Sequence, residues 1–351
     1  MKKKSLSAKK TIHKLFLNHL KNKKINKIYK RFEEYLDKNI DQKGKIGVAI
    51  SGGADSLSMA FLAKCYSLKN KIHTNFFIVD HKLRKNSSKE AKLVKFFLYK
   101  YDIQCQILTW NGKKPKSNIQ SIARNNRYHL LKKSCKKKLI RYLLVGHHID
   151  DLYENFFIRL LRGSGLKGLS SFGEVIQEKE DNLKILRPLI QFEKKELIYI
   201  SKNVFNFFVQ DPSNQNTFFQ RIRVRKLISE LSKEGFDKKK LNLTIKNLKS
   251  ANYAINFYVE KNIQINAKFI KRKNIYILNK FFFHHPEEVI MRSISEILRQ
   301  ISKRYYSPRG KSILELISKI KSNKLKKTNI GNCYVQKTNE TIIISEENRL
   351  N

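Results

Sequence analysis

The chain has 351 residues, 41% hydrophobic and 29% charged, which leaves room for two domains with ample core, as in an ordinary soluble globular protein. No stretch approaches the apolar length needed to cross a bilayer, and the basic N-terminus lacks the apolar core and small-residue cleavage site of a secretory signal. Lysine and arginine number 74 against 29 acids, a net charge of +45 that implies a polyanionic partner. A bias towards Lys, Asn and Ile raises the same number, and both causes act here. Because no segment joins this charge to a broad apolar stripe, nucleic acid is favoured over membrane. A transit peptide stays open, since residues 1–31 contain no acid, although they are rich in Lys and Asn rather than Arg and Ser. Cys65, Cys105, Cys135 and Cys333 form no C-x-x-C pair, so free thiols in the cytoplasm are expected, without zinc or an iron–sulfur centre.

Residues 1–44 read as a basic helical lead-in. Ile12, Leu15, Phe16 and Leu20 recur at helical spacing, as do Ile25, Ile28, Phe32 and Leu36. From 45 to about 150, strands are predicted at 45–50, 73–80, 103–109 and 139–146, with helices near 56–69, 88–101 and 118–135. Such βαβα alternation predicts a parallel, doubly wound sheet with helices on both faces. A helix from 150 leads to a basic glycine loop holding Arg162 and Lys167, then an acidic, loop-like 174–182 and a helix over 193–203. Arg221, Arg223 and Arg225 are spaced two apart, which suggests a loop-to-helix junction. A boundary is placed near residue 232, giving a larger α/β domain over 45–232 and a smaller α+β domain over 233–351. In the latter, helices are expected at 238–263, 286–302 and 308–321, and strands at 275–278, 328–336 and 341–345.

The richest stretch runs from Ile46 to Ser56. An apolar strand stops at Ser51, Gly52 and Gly53, and a helix begins at once through Ala54, Asp55 and Ser56. Glycines let a ligand approach the main chain, and the helix start offers unpaired N–H groups to a phosphate. A tight turn for geometry alone is the simpler alternative. Against it stands Asp55, an acid costly beside an anion unless a cation bridges them. The stretch lacks the Gly-Lys-Ser/Thr of the P-loop and the third glycine of the dinucleotide fingerprint.

Ligands of such sheets bind at the carboxyl ends of the strands. Two further clusters fall there: Asp80, His81, Lys82 and Arg84; and His147, His148, Asp150, Asp151 and Glu154. Acids in a first helical turn can be plain capping, but oxygen-rich clusters also suit magnesium better than zinc. Arg124 and Arg127, three apart on one helix face, are either a salt-bridging surface pair or a clamp on polyphosphate or RNA.

With these residues in view, the chain resembles the tRNA(Ile)-lysidine synthetases of the PP-loop (N-type) ATP pyrophosphatase superfamily, whose fold is adenine nucleotide alpha hydrolase-like. The S-G-G-x-D-S loop is matched by Ser51–Ser56. The narrower signals are Val79–Arg84, Ala123–Tyr128, Gly146–Glu154, Arg159–Leu169, Arg187-Pro-Leu189 and Asp211-Pro-Ser-Asn214, in family order over about 45–230. Asn155 stands where the family usually has Thr, and Gln220 where it tends to have an arginine–asparagine pair. The C-terminal domain matches only in size and position.

The resemblance implies ATP as co-substrate, Mg2+, free L-lysine, and a tRNA(Ile) with anticodon CAU whose wobble cytidine becomes lysidine in the cytoplasm. A homodimer is compatible with it. It casts Asp55, Arg124, Asp151 and Glu154 as catalytic, with ATP on Ser51–Ser56 and metal on Asp55 and Asp151. His81, Arg84, Arg127, His147, His148, Asp150, Arg162, Lys167, Arg221 and Arg225 would contact tRNA or substrate, and the C-terminal domain would bind tRNA. Two other readings stand beside it: a PP-loop tRNA thiolase, disfavoured by the missing cysteine pair, and a basic RNA-binding protein without catalysis.

Overall fold

Two amphipathic helices, α1 (Leu6–Asn18) and α2 (Lys23–Asn39), lead into β1 (Ile46–Ile50), whose Ile46, Val48 and Ile50 are all buried. An apolar run with no polar face belongs in the middle of a sheet. In the computed structural model, which describes residues 6–41, 44–83, 86–112, 119–173, 175–177, 182–209, 220–303 and 307–347, β1 is central. It pairs in parallel with β2 (Thr74–Asp80) on one side and β4 (Tyr142–Leu144) on the other. β3 (Cys105–Thr109) extends the sheet beyond β2, and β6 (Lys184–Leu186) beyond β4, both parallel. β5 (Val175–Gln177) adds an antiparallel edge. Among the described residues the order is β3-β2-β1-β4-β6-β5. Helices α3 (Ala54–Asn70), α4 (Ser87–Lys100), α5 (Ile119–Lys137), α6 (Ile149–Leu160) and α7 (Leu166–Leu169) connect the strands. The doubly wound α/β fold is therefore present. The chain leaves β1 towards β2 and later returns to its other side as β4, so a crevice opens at the carboxyl ends of β1 and β4.

The lead-in is core, not ornament. Phe16, Ile25, Ile28, Phe32 and Leu36 are buried in the same apolar cluster as Leu57, Met59, Phe61 and Leu62 of α3. The Phe16 ring lies 5.0 Å from Phe61. Because α1 and α2 cover the outer side of α3, that helix is buried nearly all round. The lysines of α2 between those positions face solvent. On another side α3 meets α8 (Lys194–Ile200), where the buried Ser58 Oγ donates to Leu197 O at 2.6 Å. α9 (Gln220–Lys233) and α10 (Lys238–Asn266) follow. Arg221, Arg223 and Arg225 all lie on α9, not at a junction; Arg221 and Arg225, one turn apart, share a side.

The chain divides into two compact units, Met1–Asn242 and Leu243–Asn351, and the division falls inside α10. In the second unit β7 (Ala267–Ile270), β8 (Ile275–Leu278), β9 (Lys327–Ile330), β10 (Cys333–Thr338) and β11 (Thr341–Glu346) form an antiparallel sheet ordered β7-β8-β11-β10-β9. α11 (Glu287–Ser302) and α12 (Gly310–Lys321) cover one face, burying Ile290, Ile294, Ile297, Ile313 and Ile317 with Leu278, Val335 and Ile344. The smaller α+β region is thus seen. The single strand expected at 328–336 is a hairpin. Gly331 and Asn332 both take positive φ (60° and 65°), the two-residue turn whose twist matches antiparallel strands. No helix among the described residues is long and apolar enough to cross a membrane.

Candidate active site

At the end of β1 the backbone turns through Gly52, whose φ of 90° only glycine adopts without strain. A Cβ there would also sit 2.6 Å from Val94 of α4. Ser56 closes the turn: its Oγ accepts from the N–H groups of Ser51 (3.1 Å) and Gly52 (3.0 Å) and donates to Gly53 O (2.9 Å). α3 starts immediately at Ala54, so its first N–H groups point past the turn into the crevice. Capping and anion-binding geometry coexist here.

The second strand end supplies the acids. His148 caps α6, accepting Asp150 N–H on Nδ1 at 3.3 Å while its own N–H donates to Asp151 Oδ2 at 3.0 Å. The capping reading is therefore right, yet it does not use the whole cluster. His148 Nε2 lies 3.7 Å from Asp151 Oδ2 and 3.8 Å from Asp55 Oδ2, so it joins the two strand ends. Burial opposes a charge on this ring, but the Asp150 carboxylate, 3.5 Å from Nδ1, and the Asp151 and Asp55 carboxylates raise its pKa above the ordinary value. Against the opposing effect of burial, the His148 ring, with the His148 backbone N–H and Arg221, holds Asp151 below the usual carboxylate range. Hydrogen bonding to His148, followed by Lys238 at 3.0 Å, holds Asp150 well below its ordinary value. Glu154 is 1% exposed, and burial raises its pKa although Arg225 Nε reaches its Oε1 at 2.5 Å.

A ring of arginines surrounds these acids. Arg124 and Arg127 of α5 lie over the Tyr128 ring, 5.2 and 5.6 Å from its centroid. Buried Arg187 donates to Gly173 O and stacks 4.5 Å from the Phe172 ring, which meets His147 edge-on at 5.7 Å. His147 is pushed down to about 3, by burial first and then by Arg187, Arg124 and Arg127, and its Nδ1 has no partner among the described residues. Arg221 adds its field at Arg127. So many cations on so few acids favour a polyphosphate.

Beside the turn, a cavity of about 400 Å³ has an apolar floor of Ile50, Ile78 and Val145, with Ser51, Asp80, His81 and Arg127 among its polar groups. Asp80 is tied down by Lys82 N–H (3.0 Å), Ser87 (2.9 Å) and Ser88 (2.6 Å), which fixes the segment carrying His81. His81 Nδ1 is buried without a partner among the described residues. Apolar walls with a few convergent polar groups suit a nucleoside.

The fold thus gathers Ser51–Ser56, His81, Arg124, Arg127, His147, His148, Asp150, Asp151, Glu154, Arg221 and Arg225 around one crevice. Arg162 and Lys167 stand apart, exposed beyond the far end of α6, which at ~1.5 Å per residue is about 18 Å long. Arg162 donates to Gln220 Oε1 at 3.0 Å. Arg84 and the turn Asp211-Pro-Ser-Asn214 lie outside the described residues. Lys194, Arg187 and Lys238 are site neighbours that sequence reasoning did not single out. Arg187 lay in a quoted motif, but Lys194 had no signal of its own.

Magnesium can be tested against the donor set. Among the described residues no group of three or more His, Cys, Asp or Glu forms a cage. Magnesium, however, keeps several waters and takes one or two carboxylates with substrate phosphates. Asp55 and Asp151, converging on one histidine nitrogen beside the phosphate-favouring turn, fit that requirement.

Strand, glycine turn and helix at a switch point, with an acid in the turn and arginines around it, define a PP-loop domain. The PP-loop domain family model matches residues 18–231. Among solved structures, a U34-tRNA thiolase from Methanococcus maripaludis with its 4Fe–4S cluster aligns over 65% of this chain and 80% of its own, with a TM-score of 0.55. At 19% identity that likeness concerns the fold alone. The tRNA(Ile)-lysidine synthase of Wolbachia pipientis wMel is 30% identical over 320 residues, 90% of this chain and 74% of that one. The tRNA(Ile)-lysidine synthase of Orientia tsutsugamushi is 38% identical over 191 residues, 54% of this chain and 43% of that one. The chain belongs to the tRNA(Ile)-lysidine synthase family, ATP-dependent ligases of the PP-loop class.

Proposed function

We propose that the protein converts the wobble cytidine of tRNA(Ile) with anticodon CAU to lysidine, in the cytoplasm, at the crevice between β1 and β4. The product would pair with AUA instead of AUG and take isoleucine identity in place of methionine. The observation that carries this reading is the meeting of Asp55 and Asp151 at His148 Nε2, beside the Ser51–Ser56 turn and within the arginine ring. Binding RNA alone needs no acids in a phosphate site.

In the first step the C2 oxygen of cytidine attacks the α-phosphorus of ATP, and the bond to pyrophosphate breaks. The start of α3 would hold the pyrophosphate, and Arg124 and Arg127 would stabilise charge on the phosphorus being attacked. Asp55 and Asp151 would hold magnesium, which when bound offsets charge on the leaving group. In the second step the amine of lysine attacks C2, and AMP departs with the oxygen. That amine, at ~10.4 in water, must first lose a proton. Glu154 is the acid best suited to receive it, because burial raises its pKa towards working pH. Asp150 and His148 would position the amino acid. His81, His147, Arg221 and Arg225, with exposed Arg162 and Lys167 and the 243–351 unit, would hold the splayed anticodon and the rest of the tRNA.

Sulfur transfer fits poorly. Cys65, Cys105, Cys135 and Cys333 are all buried, and burial pushes the Cys105 and Cys135 thiols up to about 12. The test is incorporation of labelled lysine with ATP and magnesium. Label should enter tRNA(Ile) bearing CAU and enter tRNA(Met), with the same anticodon, far less. Equal labelling of both, or none, would sink the reading.

A further inference from the structure

Lys194 is the first residue of α8, and its ammonium lies 2.7 and 2.6 Å from the two carboxylate oxygens of Asp55. Its backbone is fixed by the fold. Ser58 Oγ donates to Leu197 O (2.6 Å) and Ser201 Oγ to Ala54 O (3.3 Å), which fastens α8 to α3. Two residues upstream, Phe192 O accepts the Ile149 N–H at the start of α6 (3.1 Å). Lys194 is thereby anchored to both the glycine turn and the acid cluster.

The side chain is freer than its backbone, 43% exposed against 22% for Asp55. An ion pair this exposed contributes little to stability, so holding the fold together is a weak reason for it. Its position is more informative. Asp55 stands at a helix start that favours anions, and it carries its own counter-cation in the chain. A divalent cation on Asp55 would repel an ammonium at hydrogen-bond distance from the same oxygens, so the two compete for the carboxylate. An ammonium displaced from Asp55 stays tethered beside the turn, where phosphate oxygens would be its nearest acceptors.

We propose that Lys194 is a pyrophosphate-binding residue, which exchanges Asp55 for the β- and γ-phosphates when a cation–ATP complex enters. The proposal rests on the reading of Ser51–Ser56 as the ATP site. Lysine serves this exchange better than arginine would, because it is a compact charge on a flexible stem with no fixed fork to align.

The test uses the full chain and its Lys194→Met and Lys194→Arg variants, titrated calorimetrically with pyrophosphate in EDTA and in magnesium. A lost charge-assisted hydrogen bond predicts at least ~tenfold weaker pyrophosphate binding for Lys194→Met, with Lys194→Arg within about threefold of the parent. In the Met variant the magnesium concentration that half-saturates ATP binding should also fall, because the competing ammonium is gone. Equal pyrophosphate affinity in the parent and Lys194→Met overturns the proposal. If the parent binds neither pyrophosphate nor ATP, the reading of the turn as the ATP site fails instead, and the proposal falls with it. Thermal melts accompany each titration, and Lys194→Gln replaces the Met variant should that one not fold.

Discussion

Both units of the chain bury polar side chains, and they do so differently. In the second unit Arg292 gives its Nε to Glu288 and its Nη1 to Asn252 and Asn256. Asn262 bonds Phe282 O and Ser293, and Asn266 bonds Asn262. Those groups tie α10 to α11 and the segment before it, and among the described residues of this unit Arg292 Nη2 is the buried side-chain atom left unmatched. In the first unit, buried ring nitrogens of His147 and His81 have no partner among the described residues, and cations crowd a few acids at the rim of a cavity. Buried polar groups that satisfy one another hold a fold; those left facing a cavity await a ligand. The contrast separates scaffold from site without reference to any substrate.

Asp55→Asn should break the site and spare the scaffold. We expect AMP release to fall by ~10²–10³-fold, the scale of losing a charged transition-state contact, while tRNA affinity in a filter-binding assay is unchanged. A comparable loss of tRNA binding would make Asp55 a structural residue. Arg292→Ala should do the reverse, costing roughly 2–3 kcal/mol of unfolding free energy in denaturant, with kcat for folded protein unaltered. A kcat loss as deep as that of Asp55→Asn would erase the distinction.

The finest probe lies within the first unit but away from its crevice. His13 Nε2 meets Asp102 Oδ2 at 2.7 Å and Lys64 Nζ meets it at 3.2 Å, which pins α1. Burial opposes ionisation of Asp102, but His13 and Lys64 hold it below its ordinary value of 3.8. A carboxylate lowered on folding stabilises the fold above its unfolded pKa, and the gain is lost as pH falls through the folded value. Asp102→Asn, whose amide tolerates the left-handed backbone there (φ 56°), should therefore cost about 1 kcal/mol at neutral pH. The gap between parent and variant should close below pH 3.8, as read by melts across pH. A gap that persists there would mean the cluster acts through packing.

How much was legible depended on how far apart the partners lie in sequence. The Ser51–Ser56 turn could be read because strand, glycines and helix are contiguous. The rim clusters could be read because parallel topology brings every strand end to one edge. A three-residue strand such as β5 carries too few side chains to show a period, so 174–182 looked like loop. Arg225 and Glu154 were each named, but their pairing spans 71 residues and leaves no local trace. The bond from Lys194 to Asp55 spans 139 residues, and in sequence Lys194 is one lysine among many. Phe16 looked like one apolar position in a basic arm until α3 was seen to need a cover.

The central claim is that the crevice between β1 and β4 joins lysine to a cytidine. Digestion of reacted tRNA(Ile) to nucleosides, followed by mass spectrometry, tests it most directly. The account predicts that the wobble cytidine gains one lysine with loss of water, only when ATP is present and Asp55 is intact. An oxygen-to-sulfur exchange at that nucleoside, or lysine on any other residue, would contradict it.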